Sequence, residues 1–305
     1  MRIVSLLPSA TEIVYALGLG DQLEAVTDEC DHPPEAQGKP VVSRSALPQG
    51  RPLSSREIDQ AVRDRMDAKE PLYHLDTALI ERIHPDVILT QDLCRVCAVP
   101  SGQVHAALER IGATDAQVLS LDPHSLGQVL ETIVAVGRLL GVEERAGELV
   151  ASMQARIDTV RAKAVRLPSI RVFCLEWLDP PFAAGHWVPD MVELVGGVNL
   201  LNGTEQPSRE VTWREIRDAN PEVVVFMPCG YYLEEAEDEA AQLTTNAEFA
   251  ETPAAREGAV FAVDATSYFS RPGPRIVDGL EIMAWAVHPD AFPEPPPGAI
   301  VRAGG

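Results

Sequence analysis

The feature that most constrains the fold is a recurring order of short apolar run, proline or serine stop, and helical stretch. Arg2-Ile-Val-Ser-Leu-Leu-Pro8 is apolar and closed by proline. Ser9 then serves as the expected cap of a stretch in which Ile13, Val14 and Leu17 recur at helix spacing before Gly18. The order returns with a strand at residues 24–28, a helix at 54–69 capped by Ser54 or Ser55, a strand at 86–91, a helix at 101–111 and a strand at 117–122. Alternation of this kind predicts a mostly parallel sheet covered by helices.

From 125 to 166 the pattern is helical throughout, broken by Gly137 and Gly141. One helix is expected to end near Leu140 and a second to run over 143–164. Leu149, Val150, Met153, Ile157 and Val160 form the apolar stripe of the second. At 1.5 Å per residue it is roughly 33 Å long, enough to span two lobes. After Pro168 the alternation restarts: strand 170–177, helices 189–195 and 212–219, strands 222–227 and 259–264, helix 274–287. The halves echo each other, since Ile80-Glu-Arg-Ile-His-Pro-Asp-Val-Ile-Leu89 and Ile216-Arg-Asp-Ala-Asn-Pro-Glu-Val-Val-Val225 both read as helix end, proline stop and buried strand. The predicted fold class is therefore α/β, with two Rossmann-like lobes of parallel-rich sheet joined by one long helix. The expected boundaries are an N-terminal lobe at 1–123, a helical connector at 124–168 and a C-terminal lobe at 169–305. Glu234-Glu-Ala-Glu-Asp-Glu239 reads as a solvated helix face, and the proline-rich tail from Pro289 as an extended strap or a disordered end.

Composition removes whole classes of function. Acidic residues outnumber basic ones 46 to 25 for a net charge of −21, so phosphate backbones and anionic membrane surfaces are repelled and nucleic acid is not an expected partner. No stretch approaches the ~18 to 20 apolar residues of a membrane span. Residues 3–7 are too short for the apolar region of a secretory signal, so the chain as written reads as cytoplasmic. Neither a nucleophile signature, nor a phosphate-binding loop, nor a dinucleotide glycine fingerprint is found, and Gly18-Leu-Gly20 ends a helix instead of opening one.

Several stretches carry a family likeness: Val4-Ser-Leu-Leu-Pro-Ser-Ala-Thr-Glu12, Glu29-Cys-Asp-His-Pro-Pro34, His84-Pro-Asp-Val-Ile-Leu89, Pro180-Pro-Phe-Ala-Ala-Gly185, Pro221-Glu-Val-Val-Val225 and Ser270-Arg-Pro-Gly-Pro-Arg275. In this order, over nearly the whole chain, they resemble the iron-siderophore and vitamin B12 class of ABC-transporter substrate-binding proteins, nearest to the cobalamin-binding branch. The resemblance implies a binding module, not an enzyme, with no required cofactor. Its ligand would be a corrinoid or related metal chelate held between two lobes, and its partner an ABC permease; the family is typically extracytoplasmic. Iron-siderophore capture itself predicts a basic cleft, and the chain's acidity counts against it.

Ligand contacts in that family fall at the C-terminal ends of strands, in agreement with the general rule for open α/β sheets. Mapped onto this chain, they are Pro8, Ser9, Glu29, Cys30, Gln91, Cys94 and Cys97 in the first half. In the second half they are Glu176, Trp177, His186, Trp187, Tyr268, Phe269 and Arg271. Where the cobalamin binders place aromatic residues after the second and fourth strands, this chain has Glu29 and Gln91. Trp177, Trp187, Tyr268 and Phe269 could restore an apolar wall. The family also docks its permease through one surface glutamate per lobe. The matching positions are Ala78 and Arg214, with Asp76, Glu81 and Glu215 nearby.

The thiols open a second reading. Cys94-Arg-Val-Cys97 follows one expected strand and Cys30 another, so a parallel sheet brings all three to one rim. They could be packed hydrophobes or a redox-active pair. They could also be ligands of a metal or iron-sulfur centre, with His32, His186 or a ligand atom as fourth donor. A cytoplasmic metal, iron-sulfur or redox protein working through Cys30, Cys94 and Cys97 is thus the alternative to a binding module. Cys174 and Cys229 read as packing residues.

Overall fold

The computed structural model describes residues 1–48, 51, 53–93, 98–112 and 115–303, without the side chain of Thr244. Cys94 and Cys97 lie outside the described residues. The chain divides into two compact units. The first comprises residues 1–53, 57–123 and 130–150, and the second residues 54–56, 124–129 and 151–305.

In the first unit the strands are β1 (Ile3–Ser5), β2 (Leu23–Thr27), β3 (Val41–Ser45), β4 (Tyr73–Leu75), β5 (Val87–Thr90) and β6 (Gln117–Ser120). Among the described residues their order is β4-β3-β2-β1-β5-β6, parallel throughout except for the antiparallel β3–β4 edge pair. The helices are α1 (Pro8–Ala16), α2 (Ser55–Asp67), α3 (Thr77–Ile83), α4 (Ser101–Ile111), α5 (Leu126–Leu139) and α6 (Glu143–Ala164); of these, α2 and α5 have their first residues, and α6 its part from Ala151 on, assigned to the second unit. Val4, Ala25, Val42 and Ile88 of the central strands pack with Tyr73, Ile80, Val104 and Leu108 into one buried cluster. That burial is why a run such as Val-Ile-Leu at 87–89 forms a strand: both faces of a parallel strand are covered, so it needs no polar alternation. Two details differ from the sequence reading. Leu7, not Ser9, is the N-cap of α1, because Pro8 takes the first helical position with its preset φ and missing N–H. Strands β3 and β4 are not in the sequence reading; they are short, half-polar segments, β4 at the sheet edge and β3 beside it, that carry little periodic signal.

Helix α6 spans 22 residues, as its stripe predicted, and passes from the first unit into the second at Val150–Ala151. In the second unit, β7 (Ile170–Leu178) is the spine. Beside it lie β8 (Pro181–Ala183), β9 (Gly197–Asn199), β10 (Arg209–Glu210), β11 (Val223–Phe226), β12 (Val260–Val263) and β13 (Ile300–Arg302). The order is β10-β8-β7-β11-β12-β13, with β9 also paired to β7. β7, β9, β11 and β12 pair in parallel, while β8, β10 and β13 join antiparallel. The helices are α7 (Val188–Leu194), α8 (Trp213–Ala219), α9 (Leu233–Ala240), α10 (Pro253–Glu257), α11 (Ala265–Tyr268) and α12 (Ile276–Val287). The tail is a strap: after its prolines it enters the sheet as β13, antiparallel to β12. The acidic block forms α9, but Glu239 is a correction to the solvated-face reading. It is 6% exposed, and its Oε1 accepts the Ser55 backbone N–H at 3.0 Å. The carboxylate thus caps the first residue of α2, while its Oε2 is buried without a hydrogen-bond partner among the described residues.

Candidate functional site

Each sheet has one place where the chain order reverses direction. In the first unit the chain starts at β1, runs outward through β2 and β3 to the β4 edge, and returns on the other side at β5. In the second, β7 is flanked by β8 and β9 on one side and β11 on the other. Loops leaving neighbouring strands at such a point diverge and open a crevice at the carboxyl ends. The candidate site residues that the structure describes follow β1, β2 and β5 in the first unit; in the second they lie at the end of β7 or follow β8 and β12.

On the first rim, Ser5 Oγ donates to the Leu7 carbonyl at 2.9 Å and the Leu6 N–H to Leu89 at 2.9 Å, fixing the turn into α1. Pro8 is half-buried there and Ser9 is buried. Cys30 is buried as well, with Sγ 3.1 Å from Thr11 Oγ1, whereas its neighbour Glu29 is exposed. Gln91 is buried at the end of β5. Asp92, absent from the sequence reading, ties the end of β5 to Ser101 and Ser120. It accepts from the Ser101 N–H at 2.9 Å and from Ser101 and Ser120 hydroxyls, and the Ser101 contact holds its carboxyl below the usual range. No group of three His, Cys, Asp or Glu able to hold a metal occurs among the described residues.

On the second rim, Glu176 and Trp177 close β7. Glu176 Oε2 accepts the Ser208 hydroxyl at 2.7 Å; burial pushes its carboxyl up, against the hydrogen bonds from Ser208 and the Gly185 N–H. Burial likewise raises the Cys174 thiol, which behaves as packing. Trp177 donates its indole N–H to the Ser55 carbonyl at 3.2 Å and meets Tyr231 edge-on at 5.6 Å. The loop after β8 is held tightly, since a Cβ on Gly185 would lie 2.4 Å from the Gln206 carbonyl. His186 then takes φ 53°, with its N–H donating to the Gln206 carbonyl at 2.7 Å.

Trp187 is 6% exposed, and its indole donates to the Phe269 carbonyl at 2.9 Å. Phe269 is buried too, so both stand behind the rim as supports of the loops in front. Tyr268 is half-buried, its ring 5.8 Å from the Arg275 guanidinium carbon, and Arg271 is buried at the start of the Arg-Pro-Gly turn. His124 completes the group. Its backbone N–H donates to Gln128 Oε1 at 2.7 Å, while Asp190 of α7 accepts the Leu126 N–H at 2.8 Å. These bonds bring its ring to 5.8 Å from His186, which in turn lies 5.7 Å from Trp187. Burial, with help from His124, pushes the His186 imidazole below its ordinary pKa. His124 and Tyr231 escaped the sequence reading because they join the rim through tertiary packing, not through any motif.

At the positions matched to the family's docking glutamates, Ala78 lies within α3 and Arg214 within α8. The nearby carboxylates serve local caps: Asp76 accepts the Leu79 N–H at 2.9 Å, and Glu215 forms a capping box with Thr212.

Comparison with known proteins agrees with this architecture. Residues 3–266 match the periplasmic binding protein family. The vitamin B12-binding protein of Vibrio cholerae serotype O1 is 25% identical over 283 residues, covering 92% of this chain and 86% of that protein. An ABC transporter substrate-binding lipoprotein of Bacillus subtilis, YvrC, is 24% identical over 297 residues, 96% of this chain and 82% of its own. A periplasmic haem-binding protein from Pseudomonas aeruginosa superposes with a TM-score of 0.71 at 21% identity, covering 100% of this chain and 99% of that one, and so shares the fold. The names of these relatives describe binding proteins, not enzymes. They lend no support to a cytoplasmic location, one being a lipoprotein. Among the described residues, no helix is long and apolar enough to cross a membrane.

Proposed function

That the chain belongs to the periplasmic binding protein family is the premise from which we propose that it captures a metal-chelating macrocycle, a corrinoid in the first instance, for an ABC permease outside the cytoplasm. The observation that carries the reading is the grouping at the second unit's switch point. Trp177 meets Tyr231 edge-on, and His186 meets His124 and Trp187, with Tyr231, Trp187 and Phe269 buried. Flat, polarisable surfaces suit the face of a large conjugated ring, and each aromatic side chain supplies contact area at low entropy cost. Pro8, Ser9, Glu29, Cys30 and Gln91 on the first rim are proposed as further contacts. The vitamin B12-binding relative, matched over 92% of the chain, supports the same ligand class.

Titration of intrinsic tryptophan fluorescence with cyanocobalamin and with haemin tests the proposal. Saturable one-to-one quenching by at least one is expected, weakened by about 1 to 3 kcal/mol in Trp177→Ala if Trp177 is a contact anchor. Absence of saturable quenching by either would remove the ligand class.

A further inference from the structure

We propose that a groove in the first unit, between the outer edge of β4 and helix α4, receives an extended peptide as an added strand and holds a carboxylate of that peptide between Lys69 and Arg110. It draws on none of the residues assigned above to the chelate.

The strand edge is the first observation. Among the described residues β4 pairs with β3 alone and stands at the end of its sheet. The Ala46 N–H donates to the Leu72 carbonyl and the Asp76 N–H to the Val42 carbonyl, both at 2.8 Å. Alternate residues of an antiparallel strand turn their backbone groups to opposite sides, so Leu72, His74 and Asp76 face β3 while Tyr73 and Leu75 face outward. At that outer edge the Tyr73 carbonyl accepts from Gln103 Nε2 at 3.2 Å, which places α4 beside it. The outward N–H and C=O of Leu75 have no partner among the described residues. Unpaired backbone of this kind is a template for a further strand.

The space beside the edge suits one. The groove holds about 750 Å³ and is walled by residues 71–75 on one side and by Gln103, Ala106, Ala107 and Arg110 on the other. Those four lie three and four residues apart, on one face of α4, and the two alanines leave the room that larger side chains would fill. From Gln103 to Arg110 the helix rises roughly 10 Å, the length of about three extended residues.

Charge selects the occupant. Lys69 and Arg110 both line the groove, and neither side chain has a hydrogen bond or ion pair among the described residues. The carboxylate of Glu70, also in the lining, lies 3.5 Å from Arg65, which offsets it. At physiological ionic strength charges beyond about 8 Å are largely screened, so these two cations outweigh the chain's net charge of −21 at this place. A peptide carboxylate, terminal or on an acidic side chain, satisfies them. A second copy of this chain is the less favoured occupant, because pairing β4 with β4 about a twofold axis brings a like set of cations to the same seam.

The test titrates the full chain with a dye-labelled short peptide that alternates valine and glutamate and ends in a free carboxylate, read by fluorescence polarisation. Saturable binding is expected. Replacing the glutamates by glutamine and amidating the end should weaken it about threefold to tenfold, the scale of two exposed ion pairs. Lys69→Gln combined with Arg110→Gln should weaken the acidic peptide by the same factor and leave the neutral one unchanged. Ala106→Phe, at an exposed position, should block both by filling the groove. Urea midpoints equal to wild type check that these variants fold. N-methylation of alternate peptide amides separates strand addition from a simple anion site: one phase should abolish binding and the other spare it, because an added strand turns only one of its edges to β4. No saturable binding of the acidic peptide, unchanged affinity in the double variant or in Ala106→Phe, or the same result from both methylation phases would each overturn the proposal.

Discussion

Gly279→Ala, the fourth residue of α12, is expected to destabilise the protein although alanine is the better helix former. A Cβ at this position would sit 2.1 Å from the Tyr268 carbonyl oxygen and 3.4 Å from Met191 Cε. An unstrained carbon–oxygen contact needs about 3.3 Å, so α12 and the turn after α11 would have to separate by roughly 1.2 Å. The obstacle is backbone, not the free end of a flexible side chain. Overpacking of this kind costs about 1 to 3 kcal/mol or somewhat more, while helix propensity returns about 1 kcal/mol. Because the blocked atom is a backbone carbonyl, the upper part of the overpacking range applies, about 2 to 3 kcal/mol, and the net expectation is a loss of about 1 to 2 kcal/mol. Gly147→Ala, within α6, has nothing within 4 Å of the added carbon and should stabilise by about 0.5 to 1 kcal/mol. Urea unfolding followed by far-UV circular dichroism compares the two midpoints. Because Tyr268 leads into Phe269, whose carbonyl holds the Trp187 indole, the Gly279 variant should also alter tryptophan emission. A midpoint for Gly279→Ala equal to or above wild type would refute the close-packing argument.

Three further outcomes follow from buried polar groups. His288 Nε2 is buried without a hydrogen-bond partner among the described residues, and burial holds the ring below its ordinary pKa. The unfolded chain therefore takes up the proton first. Stability should be full above about pH 6.5 and fall as pH drops below it, a slope that His288→Asn should reduce in urea midpoints measured from pH 7.5 to 5. Trp187→Phe should cost about 1 to 3 kcal/mol in the same assay by orphaning the buried Phe269 carbonyl, and a value near zero would mean that water replaces the indole. Glu239→Ala should lower stability by about 1 to 2 kcal/mol through loss of the cap on Ser55, with Glu239→Gln close to wild type because an amide oxygen can still accept.

How much was legible in the sequence depended on whether burial leaves a periodic trace. Doubly covered strands such as β5 and β11, and the long helix α6, announce themselves as apolar runs or stripes between proline and glycine stops. The short strands β4, β8 and β10 do not, because two or three residues carry no pattern. The same division holds at the site. The rim position of Glu176, Trp177 and His186 could be read from where their strands end and from the family likeness. His124 could not, because nothing local marks a residue whose partner lies 62 positions away along the chain. Glu239 misled for the opposite reason: its acidic neighbours suggest solvent, while its own carboxylate is committed to the first turn of α2. Burial of Trp187 and Phe269 was equally hidden, since an aromatic residue on a loop reads alike whether it faces a ligand or supports the loop from behind.

The central claim, capture of a metal-chelating macrocycle, is tested most directly by native mass spectrometry. The intact chain would be equilibrated with an equimolar mixture of haemin, aquacobalamin and cyanocobalamin, then exchanged into volatile buffer. The account predicts one adduct per chain, at the mass of one of the three chelates. A spectrum containing only the bare chain would contradict it.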